Sequence, residues 1–169
     1  AATLRDRAAA GRCALLLFPT GASFWEAFMG CLAAGVIAVP LALPNLNRPS
    51  ELLEGVSRAC RPAAILADES IAAQLEKRAD QHPYFQGVPI VSPPDWCNVS
   101  ATLPVTTANC DVAFLQYTSG STSHPKGVAV GHDNLLANLQ MIHERMQLGQ
   151  PGDRAVTWRP HSHDMGLVG

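Results

Sequence analysis

Val112-Ala113-Phe114-Leu115-Gln116-Tyr117-Thr118-Ser119-Gly120-Ser121-Thr122-Ser123-His124-Pro125-Lys126-Gly127-Val128-Ala129-Val130 reads as two short apolar strands joined by an unusual loop. The run from Val112 to Leu115 has the continuous apolar character of a buried strand, and Gly127 to Val130 forms a second. Between them Thr118, Ser119, Ser121 and Thr122 bring four hydroxyls broken only by Gly120, followed by Ser123, Pro125 and the single cation Lys126. An apolar core has no use for so many donors, because each one buried needs a partner. A polyanion such as a triphosphate uses all of them. Two familiar phosphate loops are excluded by spacing. Walker A would need glycine where Pro125 stands, and no Gly-x-Gly-x-x-Gly occurs anywhere in the chain.

Composition sets the frame around this loop. The 169 residues are 47% hydrophobic and 15% charged, which fits a buried α/β architecture rather than disorder. A net charge of −2 with no basic cluster argues against a nucleic-acid surface. Cys13, Cys31, Cys60, Cys97 and Cys110 include no Cys-x-x-Cys pair, so reduced thiols in a cytoplasmic protein are expected rather than a disulfide framework. Arg5, Asp6 and Arg7 interrupt any signal-peptide pattern at the start. Residues 27–47 carry no charge, but Gly30, Gly35, Pro40 and Pro44 break them into a helix and a strand, so no membrane span is expected.

Upstream of the loop, helices and strands alternate. Residues 3–10 read as the tail of a helix, and Cys13 to Phe18 as a buried strand. Ser23, with Glu26 three residues on, predicts a capping box for a helix carrying Phe24, Trp25, Phe28, Cys31 and Leu32 and closed by Gly35. Val36 to Val39 is the next strand, making a βαβ unit and hence a parallel sheet. Ser50 caps a second helix bearing Leu52, Leu53, Val56 and Cys60, which leads to the strand Ala63 to Ala67. A third helix over 70–79 precedes the strand Val88 to Val91. Beyond the loop, Asp133 is placed to cap a helix reaching about Met146, with Leu135, Leu139, Ile142 and Met146 as an apolar stripe. One more strand is expected over 154–158. The organisation is then core βαβ units at 1–91, a connection at 92–109, the phosphate-loop region at 110–131, and a helix with a further motif at 132–169.

The loop resembles the phosphate-binding loop of adenylate-forming enzymes, Tyr-Thr-Ser-Gly-Ser/Thr-Thr-Gly-x-Pro-Lys-Gly-Val, departing at Ser123 where that family has glycine. Leu15 to Gly21 and Phe28 to Pro40 look like the early core of the same superfamily. Trp158-Arg159-Pro160-His161-Ser162-His163-Asp164-Met165-Gly166-Leu167 is similar to Trp-Leu-Pro-x-Tyr/His-His-Asp-Met-Gly-Leu. That run, with Phe114-Leu115-Gln116-Tyr117, points to fatty acyl-AMP ligases, which also occur as loading modules of polyketide and lipopeptide synthases. Arg159, Ser162 and Gly131 depart from the usual residues.

This resemblance implies an α/β fold with a mostly parallel sheet, forming part of a large N-terminal domain. The C-terminal lid with its catalytic lysine, and the adenine and ribose motifs, would lie outside these residues. The implied reaction joins a fatty acid carboxylate to the α-phosphate of ATP, with Mg2+, giving acyl-adenylate and pyrophosphate for transfer to an acyl carrier protein. Thr118, Ser119, Gly120, Ser121 and Thr122 would wrap the β- and γ-phosphates, with Thr122 near the metal, and Lys126 would add a point charge. His163 would line the acyl-carboxylate side as the catalytic-site residue. Asp164 reads first as a helix N-cap. His161-x-His163-Asp164 lacks a further ligand at zinc spacing, so no protein-held metal site is expected. An acyl-CoA synthetase, an amino-acid adenylation domain and a non-catalytic nucleotide-binding piece are the alternatives. The chain alone is expected to be inactive and to expose apolar surface.

Overall fold

β1 (Cys13–Leu17) is five apolar residues in a row, all buried. A strand buried on both faces belongs inside a sheet covered by helices on both sides. The computed structural model, which describes residues 10–93, 111–118, 125–147, 152–154, 156 and 159–167, has this architecture. After β1 come α1 (Ala22–Ala34), β2 (Ile37–Pro40), α2 (Glu51–Cys60), β3 (Ala64–Ala67), α3 (Glu69–Lys77) and β4 (Ile90–Val91). β5 (Val112–Thr118), β6 (Lys126–Gly131), α4 (His132–Met146) and α5 (Asp164–Leu167) follow. The strands lie in the order β4-β3-β1-β2-β5-β6. Every pairing is parallel except that of β5 with β6.

Side chains alternate across the sheet with a period of two and so build two cores. Ala14 and Leu16 join Phe24, Phe28, Cys31 and Phe114 on the α1 face, while Cys13, Leu15 and Leu17 join Leu53, Val56 and Leu75 on the α2–α3 face. Burying a Leu or Phe side chain contributes roughly 1.5–3 kcal/mol, so these clusters dominate stability. On the second face, fully buried His82 is satisfied at both ring nitrogens, by the Tyr84 hydroxyl at 2.7 Å and the Leu46 carbonyl at 3.2 Å. Ser57 Oγ donates to the Tyr84 carbonyl at 3.1 Å, tying α2 to the same clasp. Among the described residues no helix is long and apolar enough to cross a membrane.

The helix ends follow local chemistry with three corrections. Ser50 Oγ accepts from the Leu53 N–H at 3.3 Å, as its position predicts. Asp68 does the same for α3, accepting from the Ser70 N–H at 3.1 Å. Gly35 closes α1 in a left-handed conformation (φ 71°), its N–H bonding to Cys31 and Leu32 carbonyls. The expected Ser23–Glu26 capping box does not form. α1 begins at Ala22, two residues ahead of where a Ser23 cap would start it, after an extended Gly21 with no side-chain cap, and buries Phe24, Ala27, Phe28 and Cys31. Asp133 is likewise inside the first turn of α4, and the reaching side chain is that of Asn134, whose Oδ1 accepts from the Gly131 N–H at 3.0 Å. Asp164 opens α5 as its first helical residue rather than capping it. The strand expected over 154–158 is absent at Arg154 and Val156, and its other positions lie outside the described residues, as do 3–9 and most of 92–109.

Candidate functional site

β5 carries the site because its alternating side chains face different layers. Phe114 packs edge-on against Phe28, with ring centroids 5.7 Å apart, on the α1 face. Leu115 and Tyr117 face the α2–α3 side. Two residues along from Phe114, Gln116 donates from Nε2 to the Ser162 carbonyl at 3.0 Å. Its Oε1 is buried and has no hydrogen-bond partner among the described residues.

The hairpin closes on the pair Thr118↔Lys126, preceded by Tyr117↔Gly127. Lys126 is exposed at this mouth. The Tyr117 ring covers Gly127 so closely that a Cβ there would come within 2.9 Å of Cζ, which explains the need for glycine. Burial, reinforced by the nearby Cys60 and Cys13 thiols, pushes the Tyr117 hydroxyl pKa up. On the other side of the loop, the Pro125 ring packs against α2 where Gly55 leaves room; a Cβ at Gly55 would lie 2.8 Å from Cδ and Cγ. Ser119, Gly120, Ser121 and Thr122, like Ser123, lie outside the described residues, as does the Thr118 side chain.

The second motif is a tight turn against the α1 face. His161 is buried, its ring 5.4 Å from that of Phe24 and 5.1 Å from that of Trp25, and its Nδ1 has no hydrogen-bond partner among the described residues. The His163 N–H donates to the Pro160 carbonyl at 3.1 Å, and its own carbonyl accepts from Gly166 and Leu167 at 2.9 and 3.0 Å. His163 therefore occupies the N-cap position, with its side chain exposed. Gly166 is required by the close approach of the Pro160 carbonyl, with Arg159 Cβ 3.0 Å from where its own Cβ would stand. Leu167 then anchors the turn in the core beside Phe114.

Thr118 and Lys126 are thus paired across the two strands, and Gln116, on the same strand, holds the carbonyl of the residue before His163. The end of β5 joins the two motifs, at the carboxyl edge where open parallel sheets take ligands. By sequence Gln116 carries no evident task, and His161 reads only as a candidate metal ligand. The signal that could have found Gln116 is a polar residue in an otherwise apolar strand. Among the described residues no three His, Cys, Asp or Glu side chains converge as a metal site. A mostly apolar cavity of about 600 Å³, lined by Leu75, His82, Phe85, Val88 and Ile90 among others, lies at the β4 edge, across the sheet from the hairpin.

A family model described as AMP-binding enzyme matches residues 1–169. The chain is 41% identical over 162 residues to the medium-chain-fatty-acid–acyl-carrier-protein ligase JamA of Moorena producens, covering 92% of this chain and 27% of that protein. It is 36% identical over 173 residues to the long-chain-fatty-acid–AMP ligase FadD32 of Mycolicibacterium smegmatis, covering 99% of this chain and 27% of that one. Among solved structures, the fatty acyl-adenylate ligase from L. pneumophila in complex with acyl adenylate and pyrophosphate superposes with a TM-score of 0.76 at 33% identity, over 99% of this chain and 29% of that one. The chain therefore spans under a third of these relatives.

Proposed function

This chain belongs to the AMP-binding enzymes, and on that footing we propose that it is the phosphate-loop portion of a fatty acyl-AMP ligase. The ligase activates a fatty acid carboxylate with ATP, giving acyl-adenylate and pyrophosphate, and passes the acyl group to an acyl carrier protein, free-standing or as a synthase loading module. The observation that carries this reading is the Thr118↔Lys126 pair at the hairpin mouth, which sets an exposed cation opposite the start of the hydroxyl-bearing loop.

Charge builds on the phosphate oxygens as the carboxylate attacks, so catalysis rests on positioning and fixed donors. Thr118, Ser119, Gly120, Ser121 and Thr122 hold the β- and γ-phosphates through N–H and O–H groups, and Lys126 adds its charge without demanding one geometry. The hydroxyl-rich, carboxylate-poor loop fits Mg2+ that arrives bound to phosphate oxygens rather than to a protein cage. When bound, Mg2+ supplies charge neutralisation on those oxygens. Gln116, through the Ser162 carbonyl, fixes the turn that presents His163 toward the acyl carboxylate.

A hydrogen bond to a charged group contributes roughly 1.5–3 kcal/mol, so Lys126→Ala in the full-length protein should weaken ATP use by about ten- to a hundredfold. Pyrophosphate exchange into ATP, followed against ATP concentration, measures this; an unchanged ATP dependence refutes the loop assignment. The 169-residue chain alone should show no such exchange.

A further inference from the structure

We propose that Gly55, on α2 and remote from the phosphate loop in sequence, is a positioning residue for the nucleotide: it seats Pro125 and thereby fixes where Lys126 stands. This role rests on the nucleotide reading. Gly55 lies in the middle of α2. Glycine is a poor helix former, because it gives up the most backbone freedom on folding, so a glycine inside a helix needs a reason. Two common reasons are missing here. Its backbone is not left-handed, since the described glycines at positive φ are Gly11, Gly35, Gly87 and Gly152. Nor does the core crowd it. Among the described residues, the atoms that a Cβ at Gly55 would meet within 4 Å are Cδ and Cγ of Pro125, both at 2.8 Å. The absent side chain makes room for one proline ring, at the exit of the phosphate loop.

Of the two partners α2 is the fixed one. Leu53 and Val56 are fully buried, Ser50 caps the first turn, and Ser57 Oγ donates to the Tyr84 carbonyl at 3.1 Å. Pro125 has no way to move its ring alone, because Cδ is bonded to its own backbone nitrogen. A Cβ at Gly55 therefore displaces the chain that leads into Lys126, by roughly 0.7 Å or more to regain ordinary carbon–carbon contact.

A matching contact stands on the other side of the lysine. The Tyr117 ring, packed against the α2–α3 core, covers Gly127, where a Cβ would lie 2.9 Å from Cζ. Lys126 is thus flanked by Pro125 and Gly127, each in a close approach that has glycine on one side. Its side chain is long and exposed, but the root of that side chain is held in register with Thr118 across the strand pair. Holding the root fixes the volume its charge can sweep, which lowers the cost of ordering it on a phosphate.

The test follows pyrophosphate exchange into ATP in the full-length protein, varying ATP and fatty acid separately, for the unmodified enzyme, Gly55→Ala, Pro125→Ala and the double variant. Gly55→Ala should raise the KM for ATP about three- to tenfold and leave that for the fatty acid unmoved; misplacement of a group by about 1 Å can cost a hundredfold. Pro125→Ala, which empties the seat without touching the helix, should raise it as well, and the double variant should go no further. Multiplying effects in the double variant, an unchanged KM for ATP in Pro125→Ala, or a joint rise of both KM values with a lower urea midpoint would each overturn the role and leave Gly55 purely structural. Lys126→Ala separates the two claims. If it leaves ATP use unchanged, the nucleotide reading falls; if it weakens ATP use while Gly55→Ala does not, only the seat is refuted.

Discussion

The sheet has a finished side and an unfinished one. Around β1 and β3 every strand residue is buried, with helices covering both faces. Around β6 and α4 the opposite holds. α4 has no buried residue among its fifteen, and of its stripe Leu139 is 49% and Met146 66% exposed. Leu136, Met141 and Val128 are also more than half exposed. Single exposed apolar residues are ordinary, but several on one helix and its neighbouring strand make a more apolar face than scattered residues do. The stable side is a platform, and the loop and both motifs sit where the platform ends.

The largest contrast should appear on truncating side chains. Leu66→Ala, in the fully buried β3, should cost about 2–5 kcal/mol in urea unfolding. Leu136→Ala, on the open face, should stay within about 0.5 kcal/mol in this chain. Equal costs would erase the distinction between the two sides. A large Leu136→Ala cost confined to the full-length protein would sharpen it, by showing that further chain packs there.

Gly166→Ala tests the joint between platform and motif. Its Cβ meets the Pro160 carbonyl, which is backbone and cannot swing aside, so overpacking of about 1–3 kcal/mol is expected locally. In the full-length protein the KM for the fatty acid should rise while ATP affinity holds. Parallel loss of both would mean that the turn and the hairpin are not separable.

The smallest effect is expected from Ser50→Ala. It removes the cap of α2 and should cost about 1 kcal/mol, read as a lower urea midpoint with an unchanged slope. Because α2 supports Pro125, a slight loss of ATP affinity should accompany it. No change in stability would show that the 3.3 Å bond contributes nothing.

Much of this was legible in the chain itself. Continuous runs such as Ala64 to Ala67 announce interior strands, and Ser50 and Gly35 behave as their local chemistry dictates. The loop stood out because its hydroxyls and lysine make no sense as core. Ser23 misled because a capping signature marks where a helix can begin, and α1 begins at Ala22 instead, leaving Ser23 inside its first turn. Leu139 and Met146 carry a different lesson: apolar spacing identifies a helix face, not whether anything lies against it.

Local pattern indicated most of the segments that become strands and helices, since each depends on neighbours a few residues away. Strand order decided the rest. That β5 lies beside β2 and that Gln116 reaches Ser162 depend on crossovers between segments far apart in the chain. Periodicity carries no information about which strand stands next to which. Only packing of the assembled layers could bring those pairs within a few ångströms.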